Sequence, residues 1–171
     1  IVRSTSHGPV CSDVIDDFNE ITSDPVTACW TFLKFPINLM QVTYQLNHAE
    51  KIDDVRMAAA EITAPGLNIV YGDDSGNIAW WAAAKLVKRP PHVRSDLLLD
   101  GSTGLDDWTG WYDFSENPQA ENPASGFIFS ANGQPDSMQG ILYPGYYVSI
   151  DRTVRLFQLL SPQRKFSFND M

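Results

Sequence analysis

Few residues of this 171-residue chain have a type and spacing that would support chemistry. Asp73, Ser75 and Asn77 mimic the first half of a calcium-binding loop, but Ile78 stands where such a loop needs glycine, and no glutamate closes it. The composition of this stretch favours a turn between two strands instead. The chain also lacks the G-x-S-x-G pattern of a nucleophilic serine elbow. Spacing alone therefore identifies no catalytic centre.

Two further pairs of reactive side chains remain ambiguous from the sequence. Asp106 and Asp107 could act as a general acid and base, but they lie in a polar, irregular stretch, which favours solvated surface. Cys11 and Cys29 could form one disulfide bond in an oxidising compartment or remain as two buried free thiols. Neither the cysteines nor the three scattered histidines have the spacing of a metal motif, so we predict no metal site from spacing.

The composition limits the class of protein. Hydrophobic residues make up 43% of the chain, which is enough for a core, and the length suits one domain or a piece of a larger one. The chain has 12 basic and 21 acidic residues and a net charge of −9. Nucleic acids and anionic membranes need a basic face, so we expect neither as a partner. No apolar run approaches the roughly 18–20 residues of a membrane-spanning helix.

Apolar residues at helical spacing predict three helices. The first begins at Pro36, and the second has Asp53 and Asp54 in its first turn, where the helix dipole favours carboxylates. The third has Ser149 as its candidate N-cap and ends before Pro162. The predicted apolar faces are Ile37, Met40 and Tyr44, broadened by Leu39, Val42 and Leu46, in the first helix, Ile52, Val55, Ala59 and Ile62 in the second, and Ile150, Val154, Phe157 and Leu160 in the third.

Stretches rich in β-branched and aromatic residues predict four strands, at residues 26–33, 67–71, 78–87 and 127–132. The second and third form a β-hairpin around the turn at 73–77. Residues 78–84 are apolar on both faces, which predicts a sheet that is covered on both sides. Residues 88–125 are irregular, and so long a stretch is often functional or wraps a partner surface. The fold class is therefore α+β, with a mostly antiparallel sheet and a few helices.

Ordered motifs along nearly the whole chain resemble one known family. Residues 68–78 read N-I-V-Y-G-D-D-S-G-N-I and resemble the N-x-x-Y-A-D-x-x-G-N-I hairpin of the penicillin acylase (penicillin amidase) family. Near the start, residues 6–10 resemble its T-x-H-G-P strand. The other matching segments, in chain order, are Gly101 with residues 108–110, Asn117 with Pro118, residues 122–128, residues 130–132, residues 143–147, and Asp151 with Arg152.

The resemblance implies an N-terminal-nucleophile (Ntn) hydrolase with an αββα sandwich. Its members cut their own precursor, a zymogen, into two chains and so free a serine whose α-amino group is the general base. That serine lies upstream of the matched region, so residues 1–171 are interpreted as a single fragment of the large chain, truncated at both ends and inactive alone. The remaining precursor segments, which are the small chain and the N-terminal part of the large chain, are its expected partners.

The implied reaction is hydrolysis of an N-acyl amide, with a penicillin or other β-lactam side chain as the leading substrate. One alternative is an N-acyl-homoserine lactone acylase. Another is a non-catalytic binding or structural module on the same scaffold. The family is often exported, so the parent protein is expected to be periplasmic or secreted.

Three candidate site residues follow from the matched motifs. Asn132 matches the asparagine whose amide donates to the oxyanion, Arg152 matches an arginine that organises the site electrostatically, and Leu67 matches an apolar residue lining the acyl pocket. Each also has a plainer explanation. Asn132 could be a turn residue beside Gly133, Arg152 a helix residue bonded to Asp151 or solvent, and Leu67 an ordinary core leucine.

No cofactor is predicted, although some family members hold a structural calcium ion. Ser95 stands about where a backbone ligand would be expected, whereas the acidic ligand further along the chain has no clear counterpart. Calcium is therefore left open in the parent protein.

Overall fold

The computed structural model describes residues 2–135, 143, 147, 149–161 and 166–167. This part of the chain combines helices with antiparallel strands, so the α+β class is confirmed. None of the described helices is long and apolar enough to cross a membrane. The helices are α1 (Asp17–Ile21), α2 (Thr31–Lys34), α3 (Leu39–Asn47), α4 (Ile52–Ala60) and α5 (Asp151–Leu160), with 3-10 turns at Cys11–Asp13 and Phe114–Glu116, and the strands are β1 (Leu67–Gly72), β2 (Ile78–Ala83), β3 (Val87–Lys88), β4 (Gly110–Trp111) and β5 (Gln119–Glu121).

The predicted β-hairpin forms the larger sheet, with β2 in its centre. β1 and β2 are antiparallel, with Leu67 opposite Ala83 and Gly72 opposite Ile78, and β5 pairs antiparallel with the other edge of β2. β3 and β4 form a separate two-stranded ribbon. The hairpin and its antiparallel register are therefore as the sequence predicts, although β2 ends at Ala83 and not at Val87.

The hairpin turn is organised by one carboxylate. Asp73 accepts hydrogen bonds from the Asn77 amide nitrogens, at 2.8 Å for both backbone and side chain, and from the Tyr71 hydroxyl at 2.9 Å. These bonds, the Asn77 side chain first, lower the pKa of Asp73. Gly76 has a φ of 87°, which glycine adopts without a steric penalty. The apparent calcium-loop residues therefore satisfy each other in a turn.

The core lies between one face of the sheet and helices α3 and α4. Trp81 and Ala59 have no exposed surface, and Val42 and Ile62 are each 2% exposed. Asp54 accepts hydrogen bonds from the backbone N–H groups that precede α4, at 3.1 and 3.2 Å, and so closes the start of that helix. The buried residues of this core are Val42, Val55, Ala59, Ile62, Ala79, Trp81 and Ala83.

An ion pair links α4 to strand β5 beside this core. The guanidinium of Arg56 donates to both carboxylate oxygens of Glu121, at 2.5 and 2.6 Å, and the indole N–H of buried Trp81 donates to the same carboxylate at 2.9 Å. The hydrogen bond from Arg56, opposed by burial and helped by Trp81, lowers the pKa of Glu121. Arg56 also pairs with Asp53.

The predicted apolar face of α3 is only partly correct. Val42 is its buried residue, and Leu39 and Leu46 pack on the core, whereas Met40 is 86% and Tyr44 is 60% exposed. Both sets of three, Ile37, Met40 and Tyr44 on the one hand and Leu39, Val42 and Leu46 on the other, have helical spacing. The sequence therefore could not decide which set is buried. The position of α4 and β2 on one side of the helix decides it.

The first predicted strand is also wrong. Residues 26–33 form only one isolated bridge, between Val10 and Thr27, and then enter α2. The segment that contains Val10 becomes a 3-10 helix at Cys11, so it offers no further strand for residues 28–33 to pair with. Cys11 and Cys29 are free thiols, which excludes the disulfide alternative in this structure, but Cys29 is exposed and not buried as the free-thiol alternative supposed.

Candidate active site

The second face of the sheet borders a groove of about 1070 Å³. Its floor comes from β2, where Trp80 and Ala82 point away from the helical core, and its far wall comes from residues 127–135 and helix α5. Side chains on this face of β2 are partly exposed, so among the described residues the sheet is tightly covered on one side only. The aromatic residues that line the groove are Trp80, Phe127, Phe129, Tyr143, Tyr147 and Phe157.

Asn132 lies in the wall of this groove, at the end of an extended segment. The segment was predicted as a strand, but residues 127–131 pair with no neighbouring strand in the part of the chain that the structure describes, so they are extended without a ladder. Asn132 has a φ of 58°, in the left-handed region that asparagine visits more readily than most residues. Its side chain is exposed.

The structure brings Asn132 and Arg152 together. Arg152 Nη2 donates to Asn132 Oδ1 at 3.2 Å, across 20 residues of sequence. An arginine side chain has only donors, so the oxygen of the amide must face it. The amide nitrogen of Asn132 is then left to donate elsewhere, and it has no partner among the described residues. This orientation is the one that an oxyanion donor requires.

The first turn of α5 presents Arg152. Ser149 was predicted as the N-cap, but Ile150 occupies that position without a side-chain cap bond, and the Ser149 hydroxyl donates to the Asp151 carboxylate instead. That hydrogen bond is the main reason why the pKa of Asp151 is lowered. A positive charge near a helix N-terminus is unfavourable for the dipole, and the bond to Asn132 supplies the specific partner.

Tyr143 lines the groove but is almost completely buried, with 5% of its surface exposed. Its hydroxyl donates to the carbonyl of Glu116, and its own carbonyl accepts hydrogen bonds from Gln134 and from the Tyr147 hydroxyl, both at 3.1 Å. Burial, followed by the proximity of Tyr112 and Glu116, raises the pKa of Tyr143 to about 12. Tyr143 therefore stays neutral at physiological pH. The sequence analysis included this residue in a motif without giving it a role.

Arg89 also lines the groove, although no motif in the sequence predicts a role for it. Burial is the largest cause that lowers the pKa of its guanidinium. The residue follows a short strand in the irregular stretch and carries no local pattern that marks it. Its place in the groove depends on the tertiary position of β3, which the local sequence does not reveal.

Leu67 is placed away from the pair of Asn132 and Arg152. Strand alternation puts it on the same face as Ile69 and Tyr71, which pack on the helical core, and it does not line the groove. Its neighbour Asn68 does line the groove, and the Asn68 side-chain oxygen accepts a hydrogen bond from Trp80 Nε1 at 2.8 Å. A role of Leu67 in an acyl pocket stays a prediction.

The described residues provide no metal-ligand cluster. No three histidine, cysteine, aspartate or glutamate side chains within residues 2–135, 143, 147, 149–161 and 166–167 are arranged to hold a metal ion. Ser95, the expected backbone ligand, is exposed, and a structural calcium ion in the parent protein stays an open prediction.

The penicillin amidase family model matches residues 1–171, the whole chain. The chain belongs to the penicillin amidase family. An acyl-homoserine lactone acylase, QuiP, from Pseudomonas fluorescens is 30% identical over 113 residues, which are 64% of this chain and 13% of that protein. Penicillin G acylase from Escherichia coli is 27% identical over 132 residues, which are 76% of this chain and 15% of that protein.

A solved structure shares the fold. The thermostable penicillin G acylase from Alcaligenes faecalis matches 99% of this chain and 29% of its own chain, with a TM-score of 0.73 and 22% sequence identity. This likeness confirms the predicted Ntn-hydrolase fold for the region that the chain spans. The chain covers only a small share of the length of these relatives, so the activity of a whole protein is a matter for proposal.

Proposed function

We propose that this chain is part of an amidohydrolase that cleaves N-acyl amide bonds, and that it supplies the side-chain donor to the oxyanion. The observation that carries this proposal is the hydrogen bond from Arg152 to the Asn132 oxygen at 3.2 Å, because it turns the amide nitrogen outward as a donor. Membership of the penicillin amidase family supports the reaction class.

The mechanism follows from the charge that develops during amide hydrolysis. A serine hydroxyl attacks the substrate carbonyl, its proton passes to the α-amino group of the same serine, and the carbonyl oxygen becomes an oxyanion. An α-amino group has a pKa of about 8, which suits a base near neutral pH. Asn132 Nδ2 donates to that oxyanion, while Arg152 keeps the amide in orientation. The intermediate then collapses: the C–N bond breaks, the leaving amine takes the proton from the α-ammonium group, and the acyl-enzyme ester remains. Water, which gives a proton to the same α-amino group, attacks this ester, and the carboxylic acid leaves as the serine hydroxyl is restored. The serine is supplied by the rest of the parent protein.

The groove favours an apolar acyl group. Its lining is mainly apolar and includes six aromatic side chains. Asn132 lies in the same lining, so an acyl chain that occupies the groove has its carbonyl within reach of a polar donor. We infer a β-lactam antibiotic side chain, such as an arylacetyl group, as the leading substrate class. The QuiP relative, an acyl-homoserine lactone acylase at 30% identity, favours N-acyl-homoserine lactones as the second candidate.

We further propose that the parent protein matures by cutting itself from a zymogen into two chains and acts in the periplasm or outside the cell. Residues 1–171 are in this proposal one fragment of the large chain, and their partners are the other segments of the same precursor. The small share of each relative that the chain spans supports this assignment. We expect the 171-residue chain alone to be inactive.

The test begins with the full-length gene product. Purified protein is assayed against phenylacetyl and phenoxyacetyl amides and against N-acyl-homoserine lactones of several chain lengths, and its chains are identified by intact mass and N-terminal sequencing. We expect two chains, an N-terminal serine on the larger one, and turnover that disappears when that serine is replaced by alanine. A junction residue other than serine, threonine or cysteine would favour the non-catalytic module. Serine-dependent turnover by residues 1–171 alone would show that the site has been assigned wrongly.

A further inference from the structure

The backbone of Gly133 lies directly against the side chain of Thr153 in α5. A Cβ atom added at Gly133 would lie 2.8 Å from Thr153 Oγ1 and 3.8 Å from Thr153 Cβ. The first distance is too short for a carbon–oxygen contact, so a side chain at this position requires a shift of the hydroxyl, of the segment or of the helix. Gly133 does not have a positive φ. The close approach, and not the backbone conformation, is therefore what requires glycine here.

Thr153 faces this contact with a buried hydroxyl. Its Oγ1 has no hydrogen-bond partner among the described residues. A threonine inside a helix commonly donates to the carbonyl one turn earlier, and this one does not. Branching at Cβ limits a threonine in a helix to two common χ1 rotamers, and the one seen here places the hydroxyl against Gly133.

Both members of this contact follow directly after a member of the proposed site. Gly133 follows Asn132, and Thr153 follows Arg152. The separation between the Gly133 backbone and helix α5 thus sets the distance across which Arg152 holds the Asn132 oxygen at 3.2 Å. The extended segment and α5 also meet through the edge-on pair of Phe127 and Phe157 rings, whose centres are 6.1 Å apart.

We propose that Gly133 and Thr153 form a positioning contact that sets the Asn132 amide for its role at the oxyanion. This inference rests on the proposed amidohydrolase function and adds two residues to it, neither of which touches the reacting atoms. An oxyanion donor acts only at hydrogen-bonding distance from the developing charge, and a displacement of about 1 Å can cost about 100-fold in rate. A change at Gly133 therefore lowers the rate of the chemical step more than it weakens substrate binding.

The experiment uses the full-length protein and the substrate that it cleaves best. We expect Gly133→Ala to lower kcat about 10-fold to 100-fold, with KM changed less than about threefold. The double variant Gly133→Ala with Thr153→Ala removes the oxygen at 2.8 Å and leaves an ordinary contact at 3.8 Å. It is expected to recover most of the lost kcat. Gly72→Ala is the matched control, because Gly72 also lacks a positive φ and a Cβ there meets only the Asn77 carbonyl oxygen, at 3.9 Å.

The outcomes separate this inference from the function on which it rests. An unmutated protein without acylase activity would overturn the proposed function and the inference with it. An active protein whose Gly133→Ala variant keeps the original kcat would overturn the inference and leave the function standing. A slow or immature Gly133→Ala variant that the second substitution restores would support the inference. The same defect without recovery would overturn it.

Discussion

Helices α4 and α5 have similar lengths but very different surroundings. Three of the nine residues of α4, Val55, Ala58 and Ala59, are buried against the sheet and α3. None of the ten residues of α5 is buried, and its apolar residues Val154 and Phe157 are 43% and 55% exposed. Helix α4 belongs to the core that α3, α4 and the hairpin form together. Helix α5 carries Arg152 of the candidate site and contacts the extended segment through specific pairs, such as Arg152 with Asn132 and Phe157 with Phe127.

The difference separates stability from function within one chain. The α3–α4–hairpin core is a cluster of buried apolar side chains, so changes there act on unfolding. Changes at Asn132 and in α5 act on the orientation of one amide and should leave unfolding nearly unaltered. Substitutions in the core and at the candidate site test this separation.

Trp81→Ala should produce the largest loss of stability. The side chain is fully buried in the core and its indole N–H donates to Glu121, so its removal leaves both a cavity and a weaker network. We expect a loss of about 3–5 kcal/mol in the free energy of unfolding. The measurement is urea unfolding of the 171-residue chain, followed by circular dichroism. Trp30→Ala, at a site 54% exposed, is the control, and an equal loss there would contradict the position of the core.

Asn132→Ala should produce the largest loss of activity. Removing one oxyanion donor costs about 10²–10³ in kcat, or about 2.7–4 kcal/mol, with a smaller change in KM. Steady-state kinetics on the mature full-length protein measures this, with processing checked by mass spectrometry. Asn47→Ala, in α3, should leave kcat unaltered because its side chain donates to the Thr43 carbonyl of the same helix, at 2.8 Å, and does not line the groove. If kcat of Asn132→Ala stays within about threefold of the original, Asn132 is a turn residue and does not donate to the oxyanion.

Glu121→Gln should produce a smaller, pH-dependent effect in the core. The variant keeps an acceptor for Trp81 but loses the ion pair with Arg56, which is partly exposed, so we expect a cost of about 1 kcal/mol at pH 7. The pKa of Glu121 is lowered by Arg56, so the folded protein binds fewer protons than the unfolded chain. Stability from this group is present above the unfolded-state pKa of about 4.3 and is lost as the pH falls through the folded-state value.

The measurement for this pair is urea unfolding of both proteins at pH 7 and at several values below 4.3. The difference between the original protein and the Glu121→Gln variant should shrink as the pH falls, because the original carboxylate becomes protonated. A difference that stays constant across this range would mean that the carboxylate charge does not stabilise the fold.

Phe157→Ala should have the smallest effect on unfolding of the 171-residue chain. The ring is more than half exposed and its nearest aromatic contact, Phe127, is 6.1 Å away between ring centres. We expect a change within about 0.5 kcal/mol. Ile62→Ala, at a site 2% exposed, is the matched comparison and should cost about 2–5 kcal/mol. A similar loss in the free energy of unfolding for both variants would contradict the difference between the core and α5.

Part of this fold could be predicted because the deciding interactions are local. Turn residues such as Asp73 and Gly76 bond or adapt within a few positions, and helix α4 combines clear periodicity with carboxylates in its first turn. Two other elements depended on distant partners. Residues 26–33 and 127–132 both have strand-forming composition, yet a strand exists only where another segment pairs with it, and composition carries no record of that segment.

The candidate site shows the same division. Resemblance to the family identified Asn132 and Arg152, and the structure placed them in hydrogen-bonding contact. The sequence offered no sign that Arg89 would line the groove. Nor did it indicate that Leu67 would lie on the core face while Asn68 faces the groove, because a strand pattern does not say which face meets which layer.

The sequence by itself therefore determined the α+β class, the hairpin and its turn, helix α4, and the family to which the site residues belong. Only the tertiary structure decided which face of α3 is buried, which strands pair, and that Gly133 is required by Thr153. The physical reason is the range of the interactions. Capping, turn bonds and periodicity act over a few residues, whereas burial, strand pairing and close backbone approach depend on segments that only the folded chain brings together.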